Sequence, residues 1–309
     1  MRVGVVDLGT NSTRLLVADV DGDLVHELER RLTITRLGEG VDERRVLLPT
    51  AIARVRNALT DYRRILERAG AERTLAVATS AVRDAENGEA FLGEIEWSYG
   101  FDTRLLSGDE EARLTLRGVA AGRELAPETL VVDLGGGSTE LVLSDGHRSL
   151  DLGCVRLTER FLRTDPPTPQ ELDACREHIR ALLPAGPRPA RAIGVAGTVT
   201  TLAVLSLGLD DEDSVLVHGH RLSSAWIEEQ ARMLGALPVS GLRQIRGMHP
   251  DRAPVIVAGT LVVSEVLRHF GFEEIEVSEH DLLHGAALVA AELPARTEGP
   301  APPGAYTCC

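Results

Sequence analysis

Three glycines between an aspartate and a serine-threonine pair, in Asp133-Leu134-Gly135-Gly136-Gly137-Ser138-Thr139, make a loop over which a ligand can approach the backbone closely. Successive N–H groups of such a loop can converge on phosphate oxygens, and Ser138 and Thr139 add hydroxyl donors. Asp133 before the loop and Glu140 after it can reach one hard cation, and magnesium, or manganese in its place, suits oxygen ligands beside phosphate. Taken alone, the segment reads more simply as a glycine-rich hairpin turn with a solvated carboxylate. A second copy changes that balance. Asp7-Leu8-Gly9-Thr10-Asn11-Ser12-Thr13-Arg14-Leu15 aligns with Asp133 to Leu141 without a gap, sharing Asp, Leu, Gly, Ser, Thr and the final Leu. Both copies stand between β-like runs, so each reads as strand, tight turn, strand.

Other segments carry chemistry less distinctly. Gly194-Val195-Ala196-Gly197-Thr198-Val199-Thr200-Thr201 joins an apolar strand to an apolar helix, and either presents the helix N-terminus to an anion or makes a tight turn capped by Thr198. Arg83 follows a buried-looking strand directly, where a guanidinium can clamp phosphate in bidentate fashion or pair with Asp84. The acidic run Asp109-Glu110-Glu111 opens a helix, where the dipole favours carboxylates without any function, yet a strand-end carboxylate there is well placed to orient a water. His280 and His284 have a spacing that can bind zinc but lack the His-Glu-x-x-His order, so zinc is not expected. His218 and His220 are expected to line a surface, and Cys154 to sit in the core. No serine lies in a Gly-x-Ser-x-Gly elbow, which leaves an esterase triad without a nucleophile.

The composition narrows the choice further. All 33 basic residues are arginines, so a P-loop lysine and Schiff-base chemistry are excluded. A formal charge of −14 argues against general nucleic-acid binding and requires any polyanionic ligand to be held by local features. Four scattered cysteines, a start without a secretory stretch and an apolar run near Val255 to Val263 too short to span a bilayer make a cytoplasmic location, with no membrane span, the expectation.

The elements that must position these residues alternate between strand and helix. The stripe Ile52, Val55, Leu59, Tyr62 and Leu66 predicts a helix over 50–69 stopped by Gly70. Strands are expected at 74–79, 103–106 and 192–196, with helices from about 87, from 109 to about 122, and near 198–207, 223–236, 251–269 and 281–292. Thr168-Pro169-Gln170-Glu171 is a capping box with proline at the first helical position. A duplicated hairpin among such elements suggests two similar α/β domains facing each other across a cleft, at 1–127 and 128–294, with the last helix free to pack back on the first domain. The proline-rich stretch 295–309 reads as a disordered tail.

Together these segments resemble the exopolyphosphatase/guanosine pentaphosphate phosphatase family. The resemblance is carried by Asp7 to Leu16, Thr79-Ser-Ala-Val-Arg-Asp-Ala-Glu-Asn87, Leu106-Ser-Gly-Asp-Glu-Glu-Ala112, Val132 to Glu140, Gly153-Cys-Val-Arg-Leu-Thr-Glu159, Gly194 to Thr201 and His249-Pro-Asp-Arg-Ala253, in the family's order. It implies two ribonuclease H-like domains of the acetate kinase/Hsp70/actin superfold with an interdomain cleft. It further implies Glu111 as the catalytic base and Asp133 and Glu140 as magnesium-associated carboxylates, with Asp7 their pseudo-symmetric counterpart. The phosphate grip would comprise Arg83 with Gly9, Thr10, Asn11, Ser12, Gly135, Gly136, Gly137, Ser138, Thr139, Gly197 and Thr198. Polyphosphate, of short chains by preference, or guanosine penta- or tetraphosphate would be the ligand, with a homodimer left open. A kinase or ATPase of the same superfold and a non-catalytic alarmone sensor are the alternatives.

Overall fold

The structure, a computed structural model, describes residues 1–143, 146–185 and 189–294. The expected disordered tail and the Cys308-Cys309 pair lie outside them. Two compact units account for the chain: Met1–Ser107 joined by the final helix, and the segment Gly108–Leu282.

The first unit runs β1 (Arg2–Leu8), β2 (Ser12–Asp21), β3 (Leu24–Ile34), α1 (Val41–Arg44), α2 (Pro49–Ala69), β4 (Arg73–Ala78), α3 (Ser80–Arg83), α4 (Gly88–Tyr99) and β5 (Asp102–Leu105). Its sheet has the order β3-β2-β1-β4-β5, the first two junctions antiparallel and the last two parallel. Pro49 opens α2 and Gly70 closes it at a φ of 69°, where a residue with a Cβ is strained. Between them Val55, Leu59, Tyr62 and Leu66 bury the stripe that the spacing predicts.

The second unit runs α5 (Gly108–Val119), β6 (Thr129–Leu134), β7 (Thr139–Leu143), β8 (Gly146–Leu150), α6 (Cys154–Phe161), α7 (Pro169–Leu182), β9 (Arg191–Val195), α8 (Gly197–Leu207), α9 (Ser214–Val217), β10 (Arg221–Ser223), α10 (Ser224–Gly235), α11 (Val239–Leu242), α12 (Ala253–Phe270) and β11 (Glu274–Val277). Its order, β8-β7-β6-β9-β11 with β10 added at the end, repeats the first sheet strand for strand and with the same pairing directions. The repeat visible in the sequence is therefore a repeat of topology. The expected boundary at 127/128 falls inside this unit, because α5 packs on β6, β7 and β8. The closing helix α13 (Leu282–Glu292) groups from Leu283 onward with the first unit, where Arg73 Nη1 donates to the Ala291 carbonyl at 3.0 Å.

Helix α12 is, among the described residues, the one helix long and apolar enough by composition to cross a membrane, yet 78% of it is buried within the protein, where it forms the spine of the second core. The capping box at Thr168 is present, with both reciprocal hydrogen bonds to Glu171.

Candidate active site

In the second unit β6 and β7 pair so that Asp133 stands directly opposite Glu140. Directly paired residues share one face of a sheet with their Cβ atoms roughly 5 Å apart, so both carboxylates rise from the same side. Helix α5 covers that side. Thr115 Oγ1 donates to Asp133 Oδ2 at 2.6 Å, His147 Nε2 lies 2.7 Å from Asp109 Oδ1, and Gly108 presses so closely on Ser149 that a Cβ there would come within 2.5 Å of Ser149 Cβ. Glu111 is one turn before Thr115 and hence on the same face of α5. It is 6% exposed, Asp133 7% and Glu140 0%. The paired residues Glu140 and Ser149 of β7 and β8 are also hydrogen-bonded, Ser149 Oγ donating to Glu140 Oε1 at 2.7 Å. Three buried carboxylates thus belong to one short stretch of helix and hairpin, a concentration of negative charge that a globular core does not tolerate without compensating partners or cations.

The glycine loop beside them is held from behind. Gly135 N–H closes the hairpin on the Ser138 carbonyl at 3.0 Å. The carbonyls of the three glycines face the start of α6: Cys154 N–H donates to Gly135 O at 3.1 Å, Val155 and Arg156 N–H to Gly136 O at 2.8 and 3.2 Å, and Arg156 Nε to Gly137 O at 2.7 Å. A trans peptide directs each N–H opposite to the preceding carbonyl. The N–H groups of Gly136, Gly137 and Ser138 consequently face away from α6, the arrangement of an anion nest.

The first unit repeats this framework with different charges. Gly9 N–H bonds the Ser12 carbonyl at 3.0 Å, and the Thr10 and Asn11 carbonyls are held by N–H groups of Gly38, Thr35 and Arg36. Where Glu140 stands opposite Asp133, however, Arg14 stands opposite Asp7, and its Nε and Nη2 both lie 2.8 Å from Asp7 Oδ2. Asp7, expected as a metal carboxylate, is therefore half of a buried ion pair that orients Arg14.

Several residues expected to grip phosphate use their side chains within the fold. Thr10 shares a 2.8 Å hydrogen bond with Ser80, and Thr139 donates to the Leu152 carbonyl at 2.8 Å because strand alternation turns it to the face opposite Glu140. Thr198 is buried against Gly259 of α12. Arg83 Nη1 donates to the Leu106 carbonyl at 2.6 Å, in the first unit, and Ser12 opens β2 half-buried.

The turn into α8 is built under strain. Ala196 has a φ of 70°, where L residues are rarely found, and the turn is fixed by Arg252, whose Nη1 bonds Gly197 O and reaches Thr201 Oγ1 at 3.0 Å. A Cβ at Gly197 would lie 2.6 Å from that guanidinium. Arg252 thus brings a cation to the N-terminus of an apolar helix.

Sequence reading missed Thr115, Ser149, Arg156 and Arg252 as parts of this site. Arg156 and Arg252 lie in motifs that carried the resemblance, but their partners are distant in the chain and left no local signal. Among the described residues no three His, Cys, Asp or Glu side chains form a ready metal cage. His218 and His280 pack ring against ring at 4.9 Å, and Glu279 N–H donates to His218 Nδ1. His218 and His220 are half-buried, and His220 Nε2 bonds Ser206 Oγ at 3.1 Å.

Comparison with known proteins places the chain. It is 41% identical to Exopolyphosphatase 2 of Mycobacterium tuberculosis over 94% of its own length and 98% of that protein's. The crystal structure of an exopolyphosphatase-like protein superposes with a TM-score of 0.87 at 35% identity, covering 93% of this chain and 97% of that one. A Ppx/GppA protein from Aquifex aeolicus superposes at 0.79 and 30% identity over 94% and 98%. Residues 16–292 match one family along nearly the whole chain, and so the chain, with its doubled hairpin, belongs to the Ppx/GppA phosphatase family.

Proposed function

We propose that this protein is an exopolyphosphatase that releases terminal orthophosphate from polyphosphate by metal-assisted attack of water, with guanosine pentaphosphate as a second substrate. The observation that carries the reading is the set of three buried carboxylates, Glu111, Asp133 and Glu140, beside a glycine loop whose N–H groups face one way. The relatives named exopolyphosphatases support the polymer as substrate.

The donor set fits magnesium or manganese in the manner of phosphate-processing sites, where one or two carboxylates act together with substrate oxygens. Asp133 and Glu140 would hold the ion, oriented by Thr115 and Ser149. When bound, it would supply charge neutralisation for the phosphoryl oxygens. Glu111 orients a water and takes its proton as the water oxygen bonds to the terminal phosphorus. The bridging P–O bond breaks, and its oxygen leaves with the shortened chain. The N–H groups of Gly136, Gly137 and Ser138 stabilise the charge that spreads over the transferring group. A polyanion can be held by a protein of charge −14 because these contacts are local.

The test is orthophosphate release from short polyphosphate, long polyphosphate, guanosine pentaphosphate and ATP, each with and without magnesium, for the wild type and Glu111→Gln. Release from polyphosphate should require the metal, run at least as fast on short chains as on long, and fall by roughly 10²- to 10⁴-fold in the variant while substrate binding persists. Hydrolysis of ATP in preference to polyphosphate, or full turnover by Glu111→Gln, would overturn the reading.

A further inference from the structure

Glycines cannot orient their own peptide planes, so the direction in which the loop at 135–137 points is decided by whatever holds its carbonyls. The two units solve this differently at one position. In the first, the Asn11 carbonyl is held by two main-chain groups, Thr35 N–H at 3.1 Å and Arg36 N–H at 2.9 Å. In the second, the equivalent Gly137 carbonyl is held by a side chain, Arg156 Nε at 2.7 Å. Arg156 is 7% exposed, and its Nη2 lies 3.7 Å from Asp151 Oδ1. We infer that Arg156 is a positioning residue: by drawing the Gly137 carbonyl toward α6 it aims the Ser138 N–H at the phosphoryl group being transferred. The inference rests on the loop being the phosphate site proposed above. Arg156 itself lies behind the loop and acts only through it.

Two features favour an aiming role over simple filling of space. The bond is charge-assisted and short, stronger than the neutral bonds to Gly135 and Gly136. It also acts on the peptide immediately before Ser138, the last donor before the strand that carries Glu140. Losing it frees one peptide plane, next to the reacting group, without removing any apolar packing residue.

The experiment compares Arg156→Met, which keeps bulk and removes the donor, with Arg156→Lys, which retains a donor of different reach. Both are run beside Glu111→Gln, with kcat and KM for polyphosphate and amide hydrogen exchange as readouts. Arg156→Met should lower kcat by ~10²-fold, as loss or misplacement of one oxyanion donor does. KM should change far less, and faster exchange should be confined to 134–139. Arg156→Lys should recover part of the loss. Wild-type kcat in folded Arg156→Met, or faster exchange throughout the second unit, would overturn the assignment. If Arg156→Met does not fold, Arg156→Lys decides: an unchanged kcat and unchanged loop exchange refute it. Should Glu111→Gln retain full turnover, the site reading fails instead, which separates the two outcomes.

Discussion

Replacing Gly153 by alanine should disable the site by pushing on its glycine loop from behind. Gly153 precedes α6 with a φ of −81° and ψ of 148°, values open to any residue, so its requirement for glycine is steric. A Cβ there would lie 2.2 Å from Gly136 O and 2.3 Å from the carbonyl carbons of Gly136 and Gly137. All three are main-chain atoms of the glycine loop, with no flexible side chain to give way. Since a carbon normally stays about 3.3 Å from a carbonyl oxygen, the loop and α6 must part by roughly 1 Å. That retreat stretches the bonds from Val155 and Arg156 N–H to Gly136 O beyond effective length. It also displaces the N–H groups of 136–138 by a similar amount, and misplacement on that scale costs on the order of 10²-fold in rate. Steady-state orthophosphate release on Gly153→Ala, with circular dichroism and thermal melting to show that it is folded, checks the chain of reasoning. A folded variant turning over at the wild-type rate would show that the loop's distance from α6 does not matter.

Two further outcomes concern stability and reactivity. Glu265 on α12, 1% exposed, accepts from Arg176 Nη1 at 2.6 Å and Arg180 Nε at 2.7 Å, with Arg268 Nη1 3.5 Å away, and so ties α7 to α12. Glu265→Ala should lower unfolding free energy in urea by ~3–5 kcal/mol with kcat preserved, and a loss under about 1 kcal/mol would refute the role. Burial opposes ionisation of Glu265, yet the hydrogen bonds from Arg180 and Arg176 outweigh it and hold its carboxyl below the ordinary 4.5. A lowered carboxyl stabilises above its unfolded pKa, so the difference between wild type and variant should be constant above pH ~5 and shrink on acidification below it. In a protein with Cys308 and Cys309 changed to serine, Cys154 and Cys175 remain, their thiols pushed by burial up to about 11 and about 12. A thiol reagent at pH 8 should label them only at the rate of unfolding, and prompt labelling of the native protein would contradict this.

What was legible in the sequence was whatever repeats or is local. The Asp7 and Asp133 segments share enough residues to reveal the doubled hairpin, and the structure extends that repeat to five strands in each unit. Gly70 and the Thr168 box mark helix ends because capping acts within a few residues. By contrast β3 is exposed along most of its length, β8 is largely polar and exposed, and β11 alternates over only four residues without an apolar run, so none of the three was anticipated. The candidate site was half legible: residue types pointed to Asp133 and Glu140 and the family resemblance singled out Glu111 from its acidic run, whereas the contacts of Thr115, Ser149 and Arg156 depend on partners reached only through the fold. At Asp7 the repeat matches the backbone while the residue across the hairpin changes from glutamate to arginine, a difference in charge that the shared residues do not show.

The backing of the glycine loop has a kinetic corollary. Because its carbonyls are fixed by α6, its shape does not depend on a ligand to organise it. Orthophosphate set free by the reaction therefore meets the same ready-made cradle as the incoming chain end. Under the proposed function, accumulating product should compete with substrate, and departure of phosphate rather than bond cleavage becomes the natural bottleneck at high turnover.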